Sequence, residues 1–187
     1  MRISHFLAAG MLLALCCLAS AAEPAIQVAI ERSGDAFILD TTIEFPVPVR
    51  VAWGVLTDFD NMVGILSNLT ASKVTARDGN TLKVQQSGIA KFGIFSYAFA
   101  SEREVILDPM KRIQARQLSG NTKQFASDLE LKRVGNNSQA HYHAEVTPDS
   151  GIALTFGGSF IKHEVEEQFA AMVAEMSRRK AAVSANR

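Results

Sequence analysis

The C-terminal segment GSFIKHEVEEQFAAMVAEMSRRKAAVSA, residues 158–185, decides the fold because its spacing predicts one long amphipathic helix. Its apolar residues recur along one face, which we call the apolar stripe, and Glu164, Glu167 and Glu175 fall well outside that stripe. Acidic residues in the first turns and basic residues in the last turns suit the helix dipole. Such a helix needs an apolar surface to cover it, and we expect the rest of the chain to supply a sheet. At about 100° per residue, the stripe consists of Ile161, Val165, Phe169, Met172 and Met176.

Upstream of this helix the chain has the pattern of strands separated by turns. Apolar residues alternate with polar ones, and glycine, proline and asparagine punctuate the segments. Short intervals between the last six strands indicate an antiparallel meander. We expect residues 148–157 to form a looser crossing segment before the long helix. The predicted strands cover residues 26–32, 37–45, 72–77, 81–90, 94–107, 111–118, 123–134 and 139–147.

Two helices are predicted between the second and third strands. Pro48 suits the first position of a helix over residues 49–58, and a shorter helix follows over residues 62–67. Asp58 and Asp60 fall at the junction of these helices. Capping of the second helix explains these two carboxylates better than acid–base chemistry does.

The segment FPVPVRVAWGVLTDFDN, residues 45–61, together with the strand order and the helix at 160–176, resembles the START-like (SRPBCC, helix-grip) superfamily. The chain is most similar to its polyketide cyclase/dehydrase and coenzyme Q-binding branch, over roughly residues 36–183. The resemblance implies an α+β helix-grip fold, with an antiparallel sheet of about seven to eight strands wrapped around the long C-terminal helix. It also implies an apolar cavity between sheet and helix that holds lipids, quinones, sterols or aromatic polyketides.

The first 22 residues have the features of a cleavable export signal. Arg2 gives a positive start, residues 6–19 are apolar, and small residues at 20–22 suit signal peptidase. The apolar run is short for a membrane span. We therefore expect a signal peptide at 1–22, a helix-grip domain at 23–187, and an exported, periplasmic protein with no integral membrane span after cleavage.

Composition excludes several classes of function. The chain carries 19 basic and 19 acidic residues, whereas a nucleic-acid partner requires a basic surplus on one face. Both cysteines, Cys16 and Cys17, lie in the predicted signal, so the mature chain has no disulfide and no thiol nucleophile. No phosphate-binding loop or nucleophile motif is present. We predict no cofactor and no catalytic residue from a known motif.

The inner face of the predicted sheet carries the candidate binding residues. Alternation places Gln86, Tyr97 and Ser127 on an otherwise apolar inner surface. Such polar groups can orient a ligand's carbonyl or hydroxyl; the alternative is that they hydrogen-bond one another or the backbone. For the apolar and aromatic candidates the alternative is core filling. These further candidates are Phe95, Phe99, Tyr142, Val165, Phe169, Met172 and Met176.

The histidines do not predict a metal site. His141 and His143 share one face of a strand, but it is the polar outer face, opposite Tyr142. A zinc site needs at least a third convergent ligand, so we predict a solvated surface pair. His163 lies beside Glu167 on the helix and is expected to form an ordinary surface ion pair.

Three functions remain open on the sequence. The first is an exported, non-catalytic protein that binds a hydrophobic small molecule or lipid between sheet and helix. The second is a cyclase or dehydratase-type enzyme on an aromatic or polyketide-like substrate, which requires an ionisable group in the cavity, either Tyr97 or an inward carboxylate. The third is an envelope protein-interaction module whose cavity is filled by its own side chains.

Overall fold

The computed structural model describes residues 26–148 and 151–185, and the predicted signal peptide lies outside this range. It has the predicted α+β helix-grip fold. The helices are α1 (Val49–Leu56), a 3₁₀ helix (Phe59–Gly64) and α2 (Gly151–Ala185). Within the described residues, no helix combines the length and the apolarity needed to cross a membrane. The strands are β1 (Ile26–Ser33), β2 (Ala36–Phe45), β3 (Leu69–Asp78), β4 (Thr81–Phe92), β5 (Phe95–Asp108), β6 (Arg112–Gly120), β7 (Thr122–Val134) and β8 (Asn137–Pro148).

The eight strands form one sheet in the order β1-β2-β8-β7-β6-β5-β4-β3. Every observed strand pairing is antiparallel. β3 to β8 form the predicted meander, while α1 and the 3₁₀ helix carry the chain from β2 to the far edge. Side chains alternate across the strands, so one face carries buried residues such as Leu82, Val84 and Ala140, and α2 lies over that face.

The C-terminal half of α2 packs into a closed core. Phe169, Val173 and Met176 are buried there against the inner face of the sheet and against α1. Burial of a large apolar side chain contributes about 1.5–3 kcal/mol, so this half of the helix fixes α2 on the sheet.

The structure corrects the prediction that residues 148–157 form a loose crossing segment. Helix α2 begins at Gly151, and the Gly157–Gly158 pair lies within it. A Cβ added at Gly157 would meet the ring of Phe37 on β2. Glycine therefore allows the close approach of helix and sheet at this point, where a larger residue would displace that ring, in spite of the low helix propensity of glycine.

The predicted capping role of Asp58 and Asp60 is also wrong. No side-chain cap bond is made at the start of the 3₁₀ helix, which covers residues 59–64 instead of 62–67. Asp58 Oδ2 accepts a hydrogen bond from Nη2 of Arg179 at 2.6 Å, and Arg179 Nε donates to Glu175 Oε1 at 2.6 Å. Asp60 Oδ1 accepts from a backbone N–H of β3 at 2.8 Å. These carboxylates join α2 and β3 to the helical segment.

We predict that the link made by Asp58, Arg179 and Glu175 stabilises the protein in a pH-dependent way. Hydrogen bonds from Arg178 and Arg179 lower the pKa of Glu175 to about 2. Because the folded pKa is depressed, the contribution is present above the unfolded pKa of about 4.3 and is lost as pH falls towards 2. Glu175→Gln should lower the free energy of unfolding by about 1–2 kcal/mol at pH 7, and the deficit should shrink with falling pH.

Urea denaturation between pH 7 and pH 3 measures this difference. Glu166→Gln is the matched control, because Glu166 makes an exposed pair with Lys162 at 3.8 Å, and such pairs contribute about 0.3–0.5 kcal/mol. A deficit for Glu175→Gln that stays the same at every pH would contradict the assignment.

Candidate ligand-binding cavity

A cavity of two chambers lies between α2 and the inner face of the sheet. The inner chamber has a volume of about 140 Å³ and the outer chamber about 290 Å³. The chambers share part of their lining, and we call this shared boundary the waist. Its residues are Leu66, Gln86, Arg103, Tyr142, Val165 and Gln168.

The inner chamber is apolar beyond the waist, except for Ser127. An engineered cavity of about 150 Å³ in another protein binds benzene and stays dry otherwise. A volume of about 140 Å³ therefore suits one ring-sized apolar group. Its apolar lining is Leu56, Phe59, Met62, Val105, Ile113, Ala115, Leu129, Phe169 and Met172.

The waist contains a cation that the sequence interpretation missed. Arg103 lies on β5, and its Nη2 donates a hydrogen bond to Oε1 of Gln86. Its guanidinium carbon lies 5.7 Å from the ring centroid of Phe125, within range of a cation–π contact. Its Nε is buried and has no hydrogen-bond partner among the described residues, and no described carboxylate forms an ion pair with it.

This environment is costly for a charge. Burial lowers the pKa of Arg103 from its usual range, because removal from water disfavours the charged form. Arginine nevertheless stays protonated in proteins. The waist therefore contains a positive group whose buried Nε has no hydrogen-bond partner among the described residues.

Tyr142 lies beside Arg103 at the waist. Its ring packs edge-on against Phe169, with the ring centroids 5.3 Å apart. Burial raises the pKa of the Tyr142 hydroxyl, although the nearby Arg103 and a hydrogen bond with Ser127 oppose that shift. The hydroxyl is therefore a proton donor or hydrogen-bond donor at neutral pH and not a base.

Gln86 is hydrogen-bonded within the protein and also lines the cavity. Its Nε2 donates to Oγ of Ser72 at 3.0 Å, and its Oε1 accepts from Arg103. These partners are side chains other than Tyr97 and Ser127, and Gln86 still lines both chambers, so its role in orienting a ligand stays a prediction.

The outer chamber has more polar residues in its lining than the inner chamber and is more open to solvent. The Tyr97 hydroxyl donates to the backbone oxygen of Asn121 at 3.4 Å. Glu164 of α2, expected outside the apolar stripe, also lines this chamber and accepts a hydrogen bond from Nδ2 of Asn68 at 2.9 Å. Burial raises the pKa of Glu164. A carboxylate and a guanidinium thus line the same chamber.

The structure brings most of the candidate residues to the cavity. Met176 lines neither chamber, because it is fully buried in the core where α1 closes on α2. The side chain of Phe95 lies outside the described part of the structure. Direct contact with a ligand stays a prediction for all ten. Gln86, Ser127, Tyr142, Val165, Phe169 and Met172 line the inner chamber, while Tyr97 and Phe99 line the outer one.

The histidines lie on the surface as predicted. His143 Nδ1 is 3.0 Å from Oδ1 of Asp40, and His141 Nε2 is 3.7 Å from the same oxygen. His163 Nε2 lies 3.5 Å from Oε2 of Glu167. Over residues 26–148 and 151–185, no group of three or more histidine, cysteine or acidic side chains is arranged to hold a metal ion.

Comparison with known proteins agrees with this architecture. Residues 36–178 match the model of a family described as polyketide cyclase/dehydrase and lipid transport. No curated protein matches the sequence.

Solved structures share the fold at low sequence identity. The Zhui aromatase/cyclase from Streptomyces sp. R1128 superposes with a TM-score of 0.68 at 13% identity, covering 77% of this chain and 95% of its own. A START superfamily protein from Mycobacterium smegmatis gives 0.66 at 9% identity, covering 75% and 97%. A STAR-related lipid transfer protein from Xanthomonas axonopodis gives 0.62 at 7% identity, covering 83% and 99%.

We predict that Arg103 functions in ligand binding and does not stabilise the fold. Removal of a buried charge that has no counter-charge spares its desolvation cost, although it leaves Oε1 of Gln86 without its donor. Arg103→Met should therefore leave the ligand-free protein within about 1 kcal/mol of the stability of the wild type, measured by urea denaturation.

Arg112→Met is the matched control. Arg112 lies on the exposed face of the sheet, where its Nε donates to Oδ1 of Asp128 at 2.8 Å, and its loss should cost at most about 1 kcal/mol. If Arg103→Met destabilises the protein more than Arg112→Met does, Arg103 is a structural residue.

Proposed function

The chain belongs to the polyketide cyclase/dehydrase and lipid transport family, and we propose that it binds a hydrophobic small molecule or lipid between the sheet and α2. The observation that carries this proposal is Arg103 at the waist of the cavity, whose buried Nε has no hydrogen-bond partner among the described residues. An oxygen of the ligand would accept the missing hydrogen bond.

The two chambers define what such a ligand would contain. A ring-sized or short aliphatic group fits the apolar inner chamber, and its burial contributes about 25 cal/mol per Å². A carbonyl, carboxylate or similar acceptor would lie at Arg103, where a hydrogen bond to a charged group is worth about 1.5–3 kcal/mol. The envelope interaction alternative requires a filled cavity, and these chambers give it no support.

We also propose that the protein is exported. The support is the sequence of residues 1–22, with its basic start, apolar run and small residues at 20–22. Expression of the full chain in a bacterium, followed by periplasmic fractionation and N-terminal sequencing, should give a mature protein that begins at or near Glu23. Recovery of the uncleaved chain in the cytoplasm would overturn this part of the proposal.

Filling the inner chamber should abolish binding. Ala115 lines this chamber, and Ala115→Phe places a ring where the ligand's apolar end would lie. With a phenyl ketone carrying a saturated alkyl chain as the probe, calorimetry should show at least about tenfold weaker binding, equivalent to about 1.4 kcal/mol.

Ala126→Phe is the control, because Ala126 is exposed on the opposite face of the neighbouring strand, and it should bind as the wild type does. Thermal unfolding establishes that both variants fold. Failure of the wild type to take up any ketone, together with an organic extract free of lipid, would contradict the proposed function.

Catalysis is the second candidate function, and one observation favours it. Tyr142 and Arg103 are two ionisable groups that face the same cavity, as a cyclase or dehydratase-type enzyme requires. The raised pKa keeps the Tyr142 hydroxyl protonated at neutral pH, so that it can donate a hydrogen bond, while Arg103 would stabilise negative charge on an enolate oxygen.

Tyr142→Phe separates catalysis from binding, since it removes only the hydroxyl. Under the binding proposal, its Kd for the ketone should stay within about tenfold of the wild type, because one neutral hydrogen bond contributes about 0.5–1.5 kcal/mol, and the ketone should be recovered unchanged. Conversion of an aromatic polyketide-like substrate by the wild type and its loss in Tyr142→Phe would establish the enzyme instead.

A further inference from the structure

The outer chamber contains two opposite charges that do not neutralise each other. Arg103 and Glu164 both line it, yet no ion pair joins them in the described part of the chain. Arg103 donates to Gln86, and Glu164 accepts from Asn68. The chamber therefore has a positive group at the waist and an acidic group beyond it, in the part that the inner chamber does not share.

Glu164 is held in place and still has capacity to accept hydrogen bonds. Asn68 Nδ2 lies 2.9 Å from Oε2, and Gln168 also hydrogen-bonds to the carboxyl group. A carboxylate has about four acceptor sites, so these contacts leave some unused. The side chain is half-buried at the chamber wall, where water competes less with a ligand than on an open surface.

A second link joins α2 to the residues before β3, beside the bond from Asn68 to Glu164. Ser67, the neighbour of Asn68, already bonds to α2, because its Oγ lies 3.4 Å from Oε1 of Glu167. Glu167 is exposed and does not line the chamber. Glu164 and Glu167 therefore both join α2 to Ser67 and Asn68, the residues before β3. Of these two glutamates, only Glu164 lines the outer chamber.

We propose that the outer chamber selects ligands carrying a hydrogen-bond donor, a hydroxyl or an amine, which binds the free acceptor sites of Glu164 while an oxygen of the same ligand binds Arg103. This inference rests on the proposed binding function and specifies the ligand class. Such a ligand would have a compact apolar end in the inner chamber, an oxygen acceptor at the waist and a hydrogen-bond donor at Glu164 in the outer chamber. A simple hydrocarbon-tailed ketone or ester lacks the third feature.

A matched set of phenyl ketones tests this inference on the full chain. All members carry the same alkyl chain, which ends in a hydroxyl, an amine or a methyl group, and calorimetry gives each Kd. The wild type should bind the hydroxyl-ended and amine-ended ketones about tenfold more tightly than the methyl-ended one, equivalent to about 1.4 kcal/mol, because a hydrogen bond to a charged group is stronger than one between neutral groups.

Two variants locate the preference. Glu164→Ala should remove the preference, because its Kd for the hydroxyl-ended and amine-ended ketones should rise about tenfold. Its Kd for the methyl-ended ketone should stay within about twofold of the wild-type value. Glu167→Ala is the matched control. It removes the hydrogen bond between Glu167 and Ser67 and should preserve the preference.

The outcomes distinguish the inference from the function on which it rests. Equal binding of all three ketones by the wild type overturns the donor preference and leaves the binding function intact. A preference that survives Glu164→Ala, or is lost equally in Glu167→Ala, also overturns the assignment to Glu164. If no ketone binds to the wild type, both proposals fail.

Discussion

The buried guanidinium of Arg103 is the constraint on which this account of the cavity depends. A cation removed from water needs hydrogen-bond acceptors or a counter-charge, and Gln86 together with the ring of Phe125 meets only part of that need. The Nε of Arg103 has no hydrogen-bond partner among the described residues, and the other walls of the inner chamber are largely apolar. Under the proposed function, a ligand oxygen that reaches Nε would accept this hydrogen bond and so contribute affinity and orientation.

The rest of the fold maintains the space around that charge. The C-terminal half of α2 is packed without a chamber around Val173 and Met176, and Arg179 joins this end to Asp58. Towards its N-terminal half, the polar side chains of Glu164 and Gln168 face the sheet across the outer chamber. One helix thus has a packed end that fixes it on the sheet and an end that borders a cavity.

Regular periodicity made the fold and much of the cavity predictable from the sequence. Alternation correctly placed Gln86 and Ser127 on the inner face, but the same alternation along β5 also turns Arg103 inward, and a charged side chain was not expected there. The periodicity of the helix predicts the same cavity-lining role for Met172 and Met176. The packing against α1 shows that Met176 lies in the core and does not line the cavity. Glu164 was missed for a related reason, because a cavity beside a helix admits residues from outside its apolar stripe.

The most direct measurement of the central claim is the ¹⁵N NMR signal of the Arg103 Nε–H group during titration with the hydroxyl-ended phenyl ketone. Its absence from the spectrum of Arg103→Met assigns the signal. If the ligand oxygen accepts this hydrogen bond, the resonance should shift as the site saturates, and its exchange with solvent should slow. A ligand that saturates the cavity while this resonance and its exchange rate stay unchanged would contradict the role of Arg103 as the anchor.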